Sequence, residues 1–159
     1  MAGERAALAA RPDDRRYSHQ TRLKANHLAE AARVLAKQLE DIEAVAHFAA
    51  LHGLLKKLLA SRAGLGELYL YDTALRIGAK LGLMPQAIYL HAGTRAGAKA
   101  LKLSVTGNIL LKSELPLPLQ ELEPHELEDV LCIYKKYFAG ERDLDESRAC
   151  WLDDEGAEE

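Results

Sequence analysis

Leu58-Leu59-Ala60-Ser61-Arg62-Ala63-Gly64-Leu65-Gly66-Glu67-Leu68 is the stretch on which the fold turns. Upstream of it, Phe48, Leu51, Leu55, Leu58 and Leu59 recur at helical spacing. Downstream, Leu70, Ala74, Ile77 and Leu81 do the same, and Gly82 stands where a glycine C-cap belongs. Two glycines within three residues break the periodicity between the stripes. The stretch therefore reads as two helices joined by a tight turn, the second running from Leu68 to Leu81.

Further towards the N-terminus, Leu28, Ala32, Leu35, Leu39 and Ile42 predict another helix. Residues 1–18, with charges on both sides of Arg11-Pro12-Asp13-Asp14, read as a flexible arm. Towards the C-terminus, Pro85 opens a short helix over Gln86–Leu90, which stops at His91-Ala92-Gly93-Thr94. A fifth helix follows from Arg95 to Leu101, with Thr94 as its N-cap. Residues 104–120 are irregular. A last helix starts at Pro124, with carboxylates in its first turns to suit the dipole, and stops at Gly140. No alternation of period two stands out. The expectation is an all-α domain of about six helices over residues 19–140, with its centre at 58–101 and an acidic tail at 141–159.

Composition narrows the function classes. The chain has 159 residues, 48% of them hydrophobic, enough for a core without disulfide or metal staples. Cys132 and Cys150 are the only cysteines, so there is no disulfide framework and no four-cysteine metal or cluster set, which points to a reducing, cytoplasmic setting. No apolar run is long enough for a membrane span. The formal net charge of −3 argues against a polyanionic partner, but it is unevenly placed. Residues 1–113 carry 17 Lys/Arg against 9 Asp/Glu, net +8; residues 114–159 carry 4 against 15, net −11. A basic body is followed by an acidic end.

The turn at 63–66 leaves amide N–H groups at the start of the next helix without intrahelical acceptors, and glycine lets an anion approach them. The bland alternative is a turn in which glycine supplies a positive φ. Arg62 adds charge beside the turn, and Arg95, Lys99 and Lys102 fall at spacings of four and three, on one helical face that suits a phosphate backbone. Residues 58–101, through Ala63-Gly64-Leu65-Gly66 to Thr73-Ala74-Leu75 and on to Met84-Pro85-Gln86-Ala87-Ile88-Tyr89-Leu90-His91, resemble the helix-hairpin-helix unit of base-excision DNA glycosylases. The resemblance implies one or two such units and a DNA-binding set of Arg62, Gly64, Leu65, Gly66, Thr94, Arg95, Lys99 and Lys102. It also allows a monovalent cation at the hairpin.

The family's catalysis does not carry over. His91 occupies the position of the catalytic aspartate, no carboxylate lies between Lys80 and Ser113, and Glu67-Leu68 replaces the lysine of the lyase-type members. A divergent glycosylase would have to use Asp72 or His91, although Asp72 has Arg76 four residues on to pair with, and a lone histidine at a helix–turn junction is a common cap. His47 and His52 are five apart, and His125 with Glu128 or Asp129 has helical spacing without a third ligand, so no metal site is expected. No P-loop or nucleophile elbow occurs. Phosphate contact with DNA, without catalysis, is the leading expectation. The third reading is an interaction module working through the acidic end around Leu144, Trp151 and Leu152; docked on the basic body instead, the same end would compete with DNA.

Overall fold

A computed structural model describes residues 2–11, 16–17 and 20–143. The chain divides into two compact units, residues 1–85 and 86–159.

The first unit is helical: α1 (Ala2–Ala7), α2 (Ala25–Ala36), α3 (Leu39–Glu43), α4 (Phe48–Leu59) and α5 (Glu67–Leu81). The last two match the expected helices. Phe48, Leu51, Leu55 and Leu59 are buried on α4, and Leu70, Ala74 and Ile77 on α5. Gly82 closes α5 in the left-handed conformation at φ 72°, and the Leu83 N–H returns to the Gly78 carbonyl at 2.8 Å. Gly78 permits that return, because a Cβ there would lie 2.4 Å from the Leu83 oxygen.

Two expectations for this unit need correction. The long stripe 28–42 is not one helix: it breaks at Lys37–Gln38, leaving Leu39 exposed while Ile42 stays buried. No glycine or proline marks that break. The segment read as a flexible arm contains α1, whose Ala6 and Ala7 are buried. Long-range bonds from α5 fasten it. Tyr69 Oη donates to the Ala7 carbonyl at 2.7 Å, and Arg76 Nη1 to that of Ala6 at 3.0 Å. Burial of the Tyr69 ring pushes its pKa up to about 12, so the hydroxyl remains a donor. Tyr17 places its ring 4.5 Å from the Arg76 guanidinium carbon. Alanine-rich segments show little hydrophobic contrast, so this docking left no periodic signal.

The second unit runs β1 (Ile88–Tyr89), α6 (Ala92–Ala100), β2 (Ile109–Leu110), two 3-10 turns at Lys112–Glu114 and Leu117–Glu121, α7 (Pro124–Ile133) and α8 (Lys135–Phe138). Ile88, Leu90, Ala98, Leu110, Leu115, Leu127 and Leu131 form its core. Residues 86–90, expected as a helix, instead contribute β1, paired antiparallel with β2 in the register Ile88↔Leu110 and Tyr89↔Ile109. Ile88 and Leu90 point inward while Tyr89 is half-buried, and the Leu90 N–H continues the ladder to the Asn108 carbonyl at 2.8 Å. The chain is thus mostly helical with one two-stranded ladder. The expected C-terminal helix is two helices, α7 and α8, divided at Tyr134. Of the acidic tail at 141–159, residues 144–159, with Cys150 and Trp151, lie outside the described residues. No helix among the described residues is long and apolar enough to cross a membrane.

Candidate functional site

The turn between α4 and α5 treats its two glycines differently. Gly64 has φ +81°, and a Cβ there would lie 2.6 Å from His27 Nδ1, so this exposed glycine backs onto a side chain. Leu65 is buried and anchors the turn. Gly66 has open space around it and is the N-cap of α5, with no side chain bonding to the first amides of the helix. Of the expected cradle, Gly66 is the part that no side chain backs. Arg62 pairs with the Glu30 carboxylate and donates from Nε to the Leu58 carbonyl at 3.4 Å, which commits it to holding the turn against α2.

The stop at 91–94 is a cap. His91, and not Thr94, is the N-cap of α6: the Gly93 N–H donates to His91 Nδ1 at 3.1 Å, and the His91 N–H donates to Thr94 Oγ1 at 2.8 Å. Thr94 is fully buried and also donates to the His91 carbonyl at 3.0 Å. Thr94, expected in the DNA-binding set, is therefore committed to the helix's own cap. Arg95 bends away from the expected basic face. Its Nη1 donates to the carbonyls of Val105 and Gly107 at 3.1 and 2.7 Å, and its Nη2 to Asn108 Oδ1 at 3.1 Å. Lys99 and Lys102 are exposed, and Lys102 ends α6 at φ +59°. Arg95→Ala should leave the loop at 104–108 without its clamp. Limited proteolysis is expected to cut there several times faster than in the parent, and unchanged cutting would show that the three bonds do not hold the loop.

Asp72 is also occupied. Gln20 donates to its carboxylate, and Arg76 Nη2 lies 3.5 Å away. The expected pairing of Asp72 with Arg76 is present, within the network that fastens the N-terminal segment to α5. Beside this network an open cleft of about 670 Å³ is lined by Arg5, Tyr17, Arg76, Ala79 and Lys80.

The second unit brings together a set of side chains that spacing alone did not connect. His91 Nε2 meets the Glu128 carboxylate, and both side chains are almost wholly buried. One turn further along α7, half-buried Cys132 joins them, so that a ring nitrogen, a carboxylate oxygen and the thiol sulfur all lie within 4.8 Å of one another. Glu128 and Cys132 share a helical face because they are four apart. Gly93 makes room for the sulfur: a Cβ at 93 would stand 2.4 Å from Cys132 Sγ. Since Nδ1 accepts from Gly93, the neutral ring carries its proton on Nε2, directed at Glu128. Burial opposes a charge on this ring, but hydrogen bonding and charge from Cys132 and Glu128 outweigh burial and push His91 up to about 9. The Gly93 amide works against that charge, because an imidazolium has no acceptor at Nδ1.

The readable signal for this cluster was a glutamate between Leu127 and Leu131 on the apolar face of a helix, where an unpaired carboxylate is costly. Its partner lies 37 residues away and could not be identified from spacing.

Compared with protein-family models, with curated proteins and with solved structures, the chain matches none.

Proposed function

We propose that this protein binds DNA through its phosphates, by way of the 1–85 unit. The observation that carries the reading is the cleft lined by Arg5, Tyr17, Arg76 and Lys80, in which the Arg76 guanidinium lies over the Tyr17 ring. Three cations lining one cleft suit a phosphodiester backbone. At the far end of α5, the N-cap is Gly66, which has no side chain to bond the first amides of the helix. The phosphate contacts thus move from Arg62 and Arg95 to the cations lining this cleft, of which Arg5 also donates to the Arg11 carbonyl at 2.7 Å and Arg76 to that of Ala6 at 3.0 Å. The net +8 of residues 1–113 supports the same partner by long-range attraction.

Fluorescence anisotropy of the full-length chain with a labelled duplex and a labelled single strand, across a salt series, tests the reading. Affinity should fall with salt at a slope of about −3 for duplex DNA, corresponding to roughly three phosphates. Arg5→Glu with Lys80→Glu should abolish binding at moderate salt, whereas Lys99→Glu with Lys102→Glu, in the other unit, should weaken it less. Equal affinity of the Arg5/Lys80 variant and the parent would remove the reading, as would no binding at about 50 mM salt, where electrostatic contacts are strongest.

A further inference from the structure

We propose that the 86–159 unit binds one divalent transition metal ion of the zinc class through His91, Glu128 and Cys132. The argument rests on how three different donors reach one point. His91 is held at the α6 N-cap by the bond from its backbone N–H to Thr94 Oγ1, which does not involve the ring nitrogens. Glu128 and Cys132 come from consecutive turns of α7. Their donor atoms fall within 4.8 Å of each other and of the ring nitrogen. Tetrahedral zinc uses bonds of about 2.0 to 2.3 Å, which brings its ligand atoms to roughly 3 to 4 Å apart, so side-chain rotations of about 1 Å complete the set.

The donor types select the ion. Imidazole and thiolate suit zinc, cobalt and nickel, whereas magnesium and calcium want oxygen ligands throughout. Two of the three side chains are buried and the cysteine is half-buried, so the fourth position opens on the sulfur side and is completed by solvent. Proton accounting follows from the geometry. The thiol releases its proton to solvent as sulfur binds. The ion takes the place of the Nε2 proton: from a neutral ring that proton shifts to Nδ1, and from an imidazolium, which already carries one at Nδ1, it is released to solvent. The Nδ1 proton then faces the Gly93 N–H, so the Gly93 bond to the ring is exchanged for the metal bond.

Full-length protein stripped with chelator and titrated with zinc chloride by calorimetry should bind one ion per chain, and zinc should raise the melting temperature. Cobalt chloride should produce a sulfur-to-cobalt charge-transfer band. Cys132→Ser should abolish the band and weaken zinc at least tenfold, while Cys150→Ser leaves both unchanged. The Gly93 amide resonance should shift with zinc in the parent, as a purely structural histidine–glutamate pair would not require. Should Cys132→Ser fold poorly, bound zinc should still protect Cys132 of the Cys150→Ser chain from alkylation. No stoichiometric zinc binding at 100 µM, roughly the weak end of useful affinity, would overturn the proposal. So would zinc binding that is unaltered in Cys132→Ser, or alkylation that zinc does not slow.

Discussion

Gly97→Ala should unfold or severely loosen the 86–159 unit, while the same substitution at Gly53 should stabilise the protein. Both glycines are inside helices, where alanine is intrinsically favoured by about 1 kcal/mol. Their surroundings decide the sign. At Gly53, on the exposed side of α4, a Cβ meets nothing within 4 Å. At Gly97 it would stand 2.0 Å from the Leu131 carbonyl oxygen and 2.8 Å from its carbon. Those atoms are backbone, so no rotamer change moves them away, and α6 must separate from α7. The buried neighbours Ala98, Leu127 and Leu131 would separate with it. Overpacking a core typically costs about 1–3 kcal/mol, and a backbone-to-backbone contact falls at or above the upper end of that range. The net expectation is a loss of about 2–3 kcal/mol for Gly97→Ala and a gain of up to about 1 kcal/mol for Gly53→Ala. Chemical denaturation followed by circular dichroism measures both. A Gly97→Ala chain as stable as the parent would mean that the two helices are not held this closely.

That contrast shows what was legible in the sequence. Helix α4 and helix α5 were, because apolar residues at helical spacing, four of them buried on α4 and three on α5, and a glycine stop repeat one local rule along each element. Strand β1 was not: a two-residue strand has room for a single alternation, and Pro85 before it suits a helix start equally well. The glycines at 64 and 66 look alike as letters, yet one backs onto His27 and the other faces open space. The choice between turn and cradle depended on α2, some forty residues earlier. Arg95, Lys99 and Lys102 do follow a helical spacing, but spacing sets where each side chain starts and not which carbonyls a neighbouring loop offers it. Arg95 found three acceptors at 105–108 and left the other two lysines. The candidate metal ligands were hidden for the same reason. His91 was visible as a cap candidate at a helix–turn junction, and Glu128 as one of the carboxylates suited to the dipole of the last helix. Only folding brings the two together.

Glu128→Leu, measured in chelator so that no metal contributes, should cost about 3 kcal/mol, because removing one member of a buried pair leaves the other uncompensated. Leucine matches the volume and joins Leu127 and Leu131 without strain, so the loss isolates the polar partner from the packing. His91 is then left with a buried Nε2 that has lost its carboxylate acceptor. Glu128→Gln should cost about 1 kcal/mol, since its carbonyl oxygen can still accept from Nε2 while the Gly93 amide continues to bond Nδ1. The ordering carries the argument. If the carboxylate acted only as a filler of space, leucine would be tolerated better than glutamine, as burial favours the apolar side chain. If it acts as the acceptor that lets a histidine sit in the core and cap α6, glutamine must be the milder change. The double variant Glu128→Leu with His91→Leu should then lose less than the sum of its parts, because neither group remains unpaired. Additive losses, or a Glu128→Leu chain as stable as the parent, would sink the pairing.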